Sequence, residues 1–183
     1  MAIRGYMACS LDGLAADAQG GADWLAPYAA ADAALVERFD RVDTVVMGRR
    51  TYDQLPQLGA GWPYPGKRGW VVTSGPGTSR YGEAAFWRQG LAELVAHLRD
   101  LPGRDVRVIG GPTLLAGLLA AGGLDGLELF VVPLLLGGGR PLFQHDAAAP
   151  RGLVLRQVEA LEGGLLRLDY DLGPVIKRRR RAA

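Results

Sequence analysis

Two stretches of the chain join an apolar strand to glycine and then to the start of a helix. They are Val45-Val46-Met47-Gly48-Arg49-Arg50-Thr51 and Val108-Ile109-Gly110-Gly111-Pro112-Thr113. Glycine lets backbone approach a bulky anion, and the unpaired N–H groups of a helix N-terminus then point at it. Either junction alone can equally be a tight turn. Set on neighbouring parallel strands, the pair could hold the two ends of a pyrophosphate, at the strand carboxyl ends where ligands of open α/β sheets gather. Neither matches G-x-G-x-x-G or a Walker loop, so ordinary Rossmann and P-loop readings gain no support.

Two carboxylates could assist chemistry beside such a site. Asp12 lies in Ser10-Leu11-Asp12-Gly13, just past the first apolar run. It reads either as a proton donor or as a turn aspartate preceding glycine. Asp32 precedes Leu35, Val36 and Phe39 by three, four and seven residues and shares their stripe. It reads either as a buried, functional acid or as a first-turn aspartate favoured by the helix dipole. Trp24 could wall a substrate pocket or fill the core. His97 and His145 are the only histidines, and neither has partners at ligand spacing, so no metal site is expected. Without G-x-S-x-G a serine hydrolase is disfavoured. Without H-x-E and P-C-x-x-C, so is a zinc deaminase.

The elements that must position these residues alternate. Residues 2–9, 44–47, 70–73, 106–109 and 127–133 read as short apolar strands. Leu91, Leu94, Val95, Leu98 and Leu101 recur at helical spacing until Pro102-Gly103 stops them. Thr113 to Ala121 continues as a second helix behind Pro112, and Pro27 to about Arg41 carries a further helical pattern. Leu153–Glu159 and Leu165–Leu172 read as a closing hairpin around Glu162-Gly163-Gly164. This order predicts a three-layer α/β/α fold, with a mostly parallel central sheet and an antiparallel C-terminal hairpin. A single domain is expected over residues 1–173, followed by a basic, disordered tail.

With 183 residues, 49% hydrophobic and 22% charged, the chain suits one globular core. The net charge of +2 misleads, because Lys177 and Arg178 to Arg181 supply five positive charges. Without them, 16 basic residues face 19 acidic ones and the body stands at −3. That offers no broad phosphate-binding face, so a nucleic-acid partner is not expected. No apolar run is long enough to span a membrane, no signal-peptide pattern opens the chain, and Cys9 is alone. A cytoplasmic location is expected. Leu127–Leu136 could supply an apolar edge for a homodimer.

Taken in order, Ser10-Leu11-Asp12-Gly13, Met47-Gly48-Arg49-Arg50-Thr51-Tyr52, Pro65-Gly66-Lys67-Arg68 leading to Val71-Val72-Thr73-Ser74, Ile109-Gly110-Gly111 and Val132-Pro133-Leu134-Leu135-Leu136-Gly137 resemble the dihydrofolate-reductase-like superfamily. They are most similar to the stand-alone bacterial proteins that share the riboflavin-biosynthesis reductase (RibD C-terminal) domain. The resemblance spans about residues 2–172. It implies an NADPH-dependent reductase that delivers hydride to a C=N or C=O bond of a small, pterin- or pyrimidine-like heterocycle. A non-catalytic binding module on the same fold is the alternative. It also favours a homodimer. By resemblance, Gly48, Arg49, Arg50 and Thr51 cradle the pyrophosphate, and Arg49 with Thr73 and Ser74 takes the adenosine 2′-phosphate. A guanidinium with hydroxyl donors suits a dianionic phosphate, although Arg49 could also be a solvated surface residue. Ile109, Gly110, Gly111, Pro112 and Thr113 form the second cradle, and the backbone of Ala8 faces the nicotinamide. Asp32, sixteen residues before Gly48, matches the offset of the substrate-binding acid of dihydrofolate reductases. Leu14 stands where the riboflavin enzymes carry Lys or Arg.

Overall fold

The computed structural model describes residues 1–28, 37–143 and 150–176. Their first strand, β1 (Ile3–Ser10), is followed by β2 (Leu14–Ala16), a 3-10 turn at Asp23–Tyr28 and another at Glu37–Arg41. Next come β3 (Val42–Gly48), α1 (Arg49–Gln54) with a 3-10 turn at Leu55–Leu58, β4 (Arg68–Val72) and β5 (Ala84–Trp87). Helix α2 (Leu91–Asp100), β6 (Asp105–Val108), α3 (Pro112–Ala120), β7 (Gly126–Val132) and β8 (Arg140–Pro141) lead to the closing pair, β9 (Arg151–Ala160) and β10 (Leu166–Val175).

One eight-stranded sheet runs β5-β4-β3-β6-β1-β7-β10-β9, and β2 pairs with β8 in a separate ribbon. The strands from β5 to β7 run parallel to their neighbours, while β10 lies antiparallel to both β7 and β9. The sheet is therefore mostly parallel with an antiparallel hairpin at one edge, as the sequence implies.

Alternation along the strands builds two different faces. Ile3, Met7 and Cys9 of β1 join Leu127 and Leu129 of β7 in a core covered by Leu94 and Leu98 of α2 and Leu114, Leu115 and Leu118 of α3. Each such fully buried side chain contributes about 1.5–3 kcal/mol. The packing is close: a Cβ added at Gly5 would lie 2.5 Å from Leu115 Cδ1. On the opposite face Val45, Met47 and Val71 pack beneath Tyr52 of α1 and Leu55. With helices on both sides, the three layers follow. Beside that second cluster, β1, β6, β7 and β10 turn charges inward. Glu128, 1% exposed, accepts hydrogen bonds from Arg107 and Arg167, while Arg4 donates to Asp169 and, at 2.9 Å, to Asp171.

The structure corrects several expectations. Leu127–Leu136 offers no free edge, because β7 is hydrogen-bonded on both sides, to β1 and β10; the edge at that side is β9. The ends of the expected helix over 27–41 are 3-10 turns, and Pro27 stands inside the first; Leu35, Val36 and Asp32 lie outside the described residues. The closing strand continues through Val175, paired with Arg151, past the boundary expected at Gly173. Residues 177–183 lie outside the described residues. Strands β2, β5 and β8, each four residues or fewer, have no counterpart in the sequence reading.

Candidate functional site

Strands β3 and β6 are neighbours, so their glycine-tipped ends meet. The Gly48 N–H donates to Gly110 O at 2.8 Å, and the Ile109 N–H to Val46 O at 2.9 Å. Gly48 and Gly111 are the extended N-cap residues of α1 and α3, and neither helix start receives a side-chain cap. Neither helix start is thus closed by its own cap residue. Gly48 has ordinary room for a side chain, whereas Gly110 is held to glycine by its backbone and its neighbours. A Cβ on Gly48 would sit 3.6 Å from Gly111 N. One on Gly110, whose φ is +123°, would sit 3.3 Å from both Met7 Sδ and Thr51 Oγ1. Thr51 of the first junction therefore abuts the second, and the two turns form one surface. Pro112 opens α3, Thr113 beside it is exposed, and Ile109 packs on the cluster of Val45 and Tyr52.

Beyond α1, Arg49 turns toward the loop after β4. Its Nε donates to Asp53 at 2.9 and 3.0 Å, its Nη1 reaches Pro76 O at 3.4 Å, and its guanidinium lies 5.0 Å from the centre of the Phe86 ring. The Thr73 Oγ1 accepts the Gly75 N–H at 3.0 Å, which shapes the loop, and Ser74 beside it is exposed. Arg88, absent from the sequence reading, completes the cluster. Its guanidinium lies 5.4 Å from the same ring and donates to Gly75 O at 3.1 Å and to Gly77 O. The signal for it was weak: Arg88 follows a four-residue strand with no motif. Two guanidiniums and two hydroxyls around one loop make a donor set suited to a phosphate dianion.

Ala8 is half-buried on β1, in a cluster with Tyr6, Trp24, Leu25, Tyr28, Phe130 and Val132. Among the described residues the buried Trp24 indole N–H meets no hydrogen-bond acceptor. A buried donor left unpaired costs about 1–3 kcal/mol, so an acceptor from water or a ligand would be favoured there. Apolar rings with one convergent donor suit a planar ligand with a carbonyl or ring nitrogen at its edge.

Asp12 does something else. Its Oδ1 accepts the Ser10 hydroxyl at 2.5 Å and the Leu136 N–H at 3.2 Å, and its Oδ2 accepts the Gly137 N–H at 2.8 Å. The Ser10 hydroxyl, followed by the Gly137 N–H, holds the exposed carboxyl below the usual carboxylate range. An acid that stays ionised at neutral pH is a poor proton donor. The geometry thus favours the turn reading: Asp12 ties the loop after β1 to the loop after β7. Arg50 diverges from Arg49 and lines a cavity of about 500 Å³ with Asp17–Gly20 and Gly139–Pro141. Among the described residues no group of His, Cys, Asp and Glu could hold a metal ion, and no helix is long and apolar enough to cross a membrane.

Comparison with known proteins places the fold and the family. The family model described as RibD C-terminal domain matches residues 2–166. The protein YwjB of Bacillus subtilis (strain 168) is 32% identical over 166 residues, covering 90% of this chain and 94% of that one. A putative riboflavin biosynthesis protein from Shewanella sp. PV-4 superposes with a TM-score of 0.80 at 26% identity, covering 95% of this chain and 100% of the other. Dihydrofolate reductase from Enterococcus faecalis, solved in complex with NADP(H) and RAB-propyl, superposes at 0.63 with 19% identity, covering 93% of this chain and 94% of that one. The fold is dihydrofolate-reductase-like.

Proposed function

Because the chain belongs to the RibD C-terminal domain family, we propose that it is an NADPH-dependent reductase acting on a C=N or C=O bond of a small, planar, pterin- or pyrimidine-like heterocycle. The observation that carries this reading is the fusion of the two glycine junctions, with Gly48 N–H on Gly110 O at 2.8 Å and uncapped helix starts on either side. Adenosine 2′-phosphate fits the donors of Arg49, Arg88, Thr73 and Ser74, which is the reason to name NADPH rather than NADH. The fold neighbour that holds NADP(H) supports the same choice.

When bound, the coenzyme supplies the hydride, and the chain supplies place and surroundings. Gly48, Gly110, Gly111, Thr51 and the first turns of α1 and α3 receive the diphosphate. The backbone at Ala8 lines the nicotinamide end. Tyr6, Trp24 and Phe130 hold a flat substrate against it and exclude water, while the Trp24 N–H binds an acceptor at the substrate's edge. Asp12 fixes the loops over the site and is not retained as the acid. Asp32, for its offset from Gly48, remains the proposed proton donor.

Fluorescence titration tests the proposal. NADPH is expected to bind more tightly than NADH, and Arg49→Ala to weaken NADPH by about ten- to a hundredfold, the worth of a charge-assisted hydrogen bond, leaving NADH unchanged. Equal affinity for both coenzymes in the wild type would refute it. The engagement of Asp12 as a loop tie favours one second reading, a binding module without turnover. NADPH oxidation across dihydropterins, imines and quinones separates the two: turnover lost in Asp32→Asn rejects the module, and silence across the panel supports it.

The proposed homodimer is placed at β9. Leu153, Leu155 and Val158 stand 46%, 51% and 57% exposed on this edge strand, an unusual apolar stripe for a monomer. Sedimentation velocity checks it; a species of 19.5 kDa at micromolar concentration would dismiss the dimer.

A further inference from the structure

A second cavity of about 500 Å³ lies where β4 and β5 begin, and its lining includes Arg68, Trp70, Gly82, Glu83 and Ala85. Arg68, which opens β4, is level with Thr44, whereas Val72, which closes it, is level with Gly48. Four steps of strand, about 13 Å, therefore separate Arg68 from the level of the glycine junctions. The backbone along this cavity is pinned. The Lys67 ammonium donates to Phe39 O and Val42 O at 2.7 and 2.8 Å, and Lys67 O accepts the Trp62 indole N–H at 3.0 Å. The Gly69 N–H donates to Glu83 O at 2.9 Å, which sets the approach to β5 against the start of β4. β5 is the outer strand of the sheet, and its exposed Ala85 pairs with Trp70, so only a methyl group stands beside the indole. On β4, Arg68 and Trp70 are two residues apart and share a face. Trp87 and His97 meet the Trp70 ring edge-on, with centroids at 5.5 and 4.9 Å. The buried Trp70 N–H has no acceptor among the described residues, so a small shift of the ring breaks no hydrogen bond. Of the charged residues lining the cavity, Lys67 is committed to carbonyls, while Arg68 and Glu83 are exposed. Neither of these two side chains has an ion-pair or hydrogen-bond partner among the described residues.

We propose that this cavity is a second small-molecule site, for a zwitterion of the α-amino-acid type with an apolar side chain. The ligand's carboxylate pairs with Arg68, its ammonium with Glu83, and its side chain lies against Trp70 and Ala85. A guanidinium takes a carboxylate in a fork of two charge-assisted hydrogen bonds, and a carboxylate accepts from an ammonium. The indole supplies apolar area. A simple anion would meet Glu83 as well as Arg68, and a simple cation would meet Arg68 as well as Glu83. A ligand carrying both charges satisfies both residues, so the lining selects by repulsion as well as by attraction.

The test uses three probes: L-phenylalanine, phenylacetate, which lacks the ammonium, and phenethylamine, which lacks the carboxylate. By isothermal titration the wild type is expected to bind L-phenylalanine about three- to tenfold more tightly than either of the others. Arg68→Gln should lower the affinity for L-phenylalanine to about that for phenethylamine, and Glu83→Gln to about that for phenylacetate. In amide spectra of isotope-labelled wild type, L-phenylalanine should move the resonances of Gly66, Gly69 and Gly82 and leave those of Gly48, Gly110 and Gly111 in place. A wild type that ignores L-phenylalanine, or binds the three probes alike, overturns the proposal: Arg68 and Glu83 are then solvated or pair with each other. Shifts at Gly48 and Gly110, or along β9, in place of those at Gly66 and Gly82 overturn it too, because the probe then sits elsewhere. The spectra need no variant, so a substitution that disturbs the fold does not shield the proposal.

Discussion

The paired strands β1 and β7 carry two different proteins on their two sides. Toward α2 and α3 they present Ile3, Met7, Cys9, Leu127 and Leu129, a surface closed by leucines. Toward the other side they present Arg4, Tyr6, Ala8, Ser10, Glu128 and Phe130, where charges, an aromatic wall and a buried hydroxyl lie within one strand's length. The first face contributes stability through area alone. The second borders the proposed site, and there Arg4, Glu128 and Arg167 each depend on a named partner.

The contrast is sharpest at Glu128, which accepts from both Arg107 and Arg167 with 1% exposure. Breaking a buried pair strands the surviving charge, so Glu128→Ala, which takes the carboxylate from Arg107 and leaves Arg167 with only the longer contacts to Glu159 and Asp169, is expected to cost about 3–5 kcal/mol. Urea denaturation of the variant measures it. A loss below about 1 kcal/mol, the scale of a surface pair, would show that water relieves these charges and that the two faces differ less than their sequences suggest.

The apolar face makes the opposite prediction, since its vulnerability is to added volume. A methyl group at Gly5 meets Leu115 Cδ1 at 2.5 Å and Leu127 Cδ2 at 2.8 Å. Both side chains can rotate, so Gly5→Ala is expected to cost about 1–3 kcal/mol, the range for overpacking a closed core. Thermal unfolding reads this directly. An unchanged midpoint would mean that the leucines have room the packing does not reveal.

That difference also explains what could be read from residues alone. The leucines of α2 announce themselves by period, and the glycine junctions by type, because one physical cause fixes each residue. Glu162-Gly163-Gly164 was visible as a turn for the same reason: Gly163 and Gly164 adopt φ of +73° and +78°. The charged face hides inside apolar runs. Arg4 and Glu128 interrupt strands that otherwise read as continuous core, and nothing local says that Arg167, 39 residues from Glu128, will meet it. Leu127–Leu136 misled for that reason, since an apolar run looks alike in the middle of a sheet and at its edge. The short strands β2, β5 and β8 owe their existence to neighbours rather than to their own residues, and Arg88, just past β5, stands in no motif that marks it. Of the two candidate acids, Asp12 could be placed on a loop from sequence, but its three donors come from Ser10 and from a segment more than a hundred residues away.

Asp12 gives the smallest and most local prediction. Its carboxyl is held below the usual range by the Ser10 hydroxyl first and the Gly137 N–H next. A lowered carboxyl contributes its stabilisation above the ordinary carboxylate range, near pH 4, and loses it as pH falls through its own lower value. Protection of the Leu136 and Gly137 amides against hydrogen exchange, corrected for intrinsic rate, should therefore hold at neutral pH and decline only in acid. In Asp12→Asn the same two amides should exchange severalfold faster at neutral pH, with the acid-dependent decline abolished, while amides of β1 and β7 facing α2 and α3 stay protected. Unchanged protection in the variant would mean that the loops stand without the carboxylate. Asp12 would then return as a candidate for chemistry, and the division between a packing face and a working face would have to be redrawn one strand-end further along.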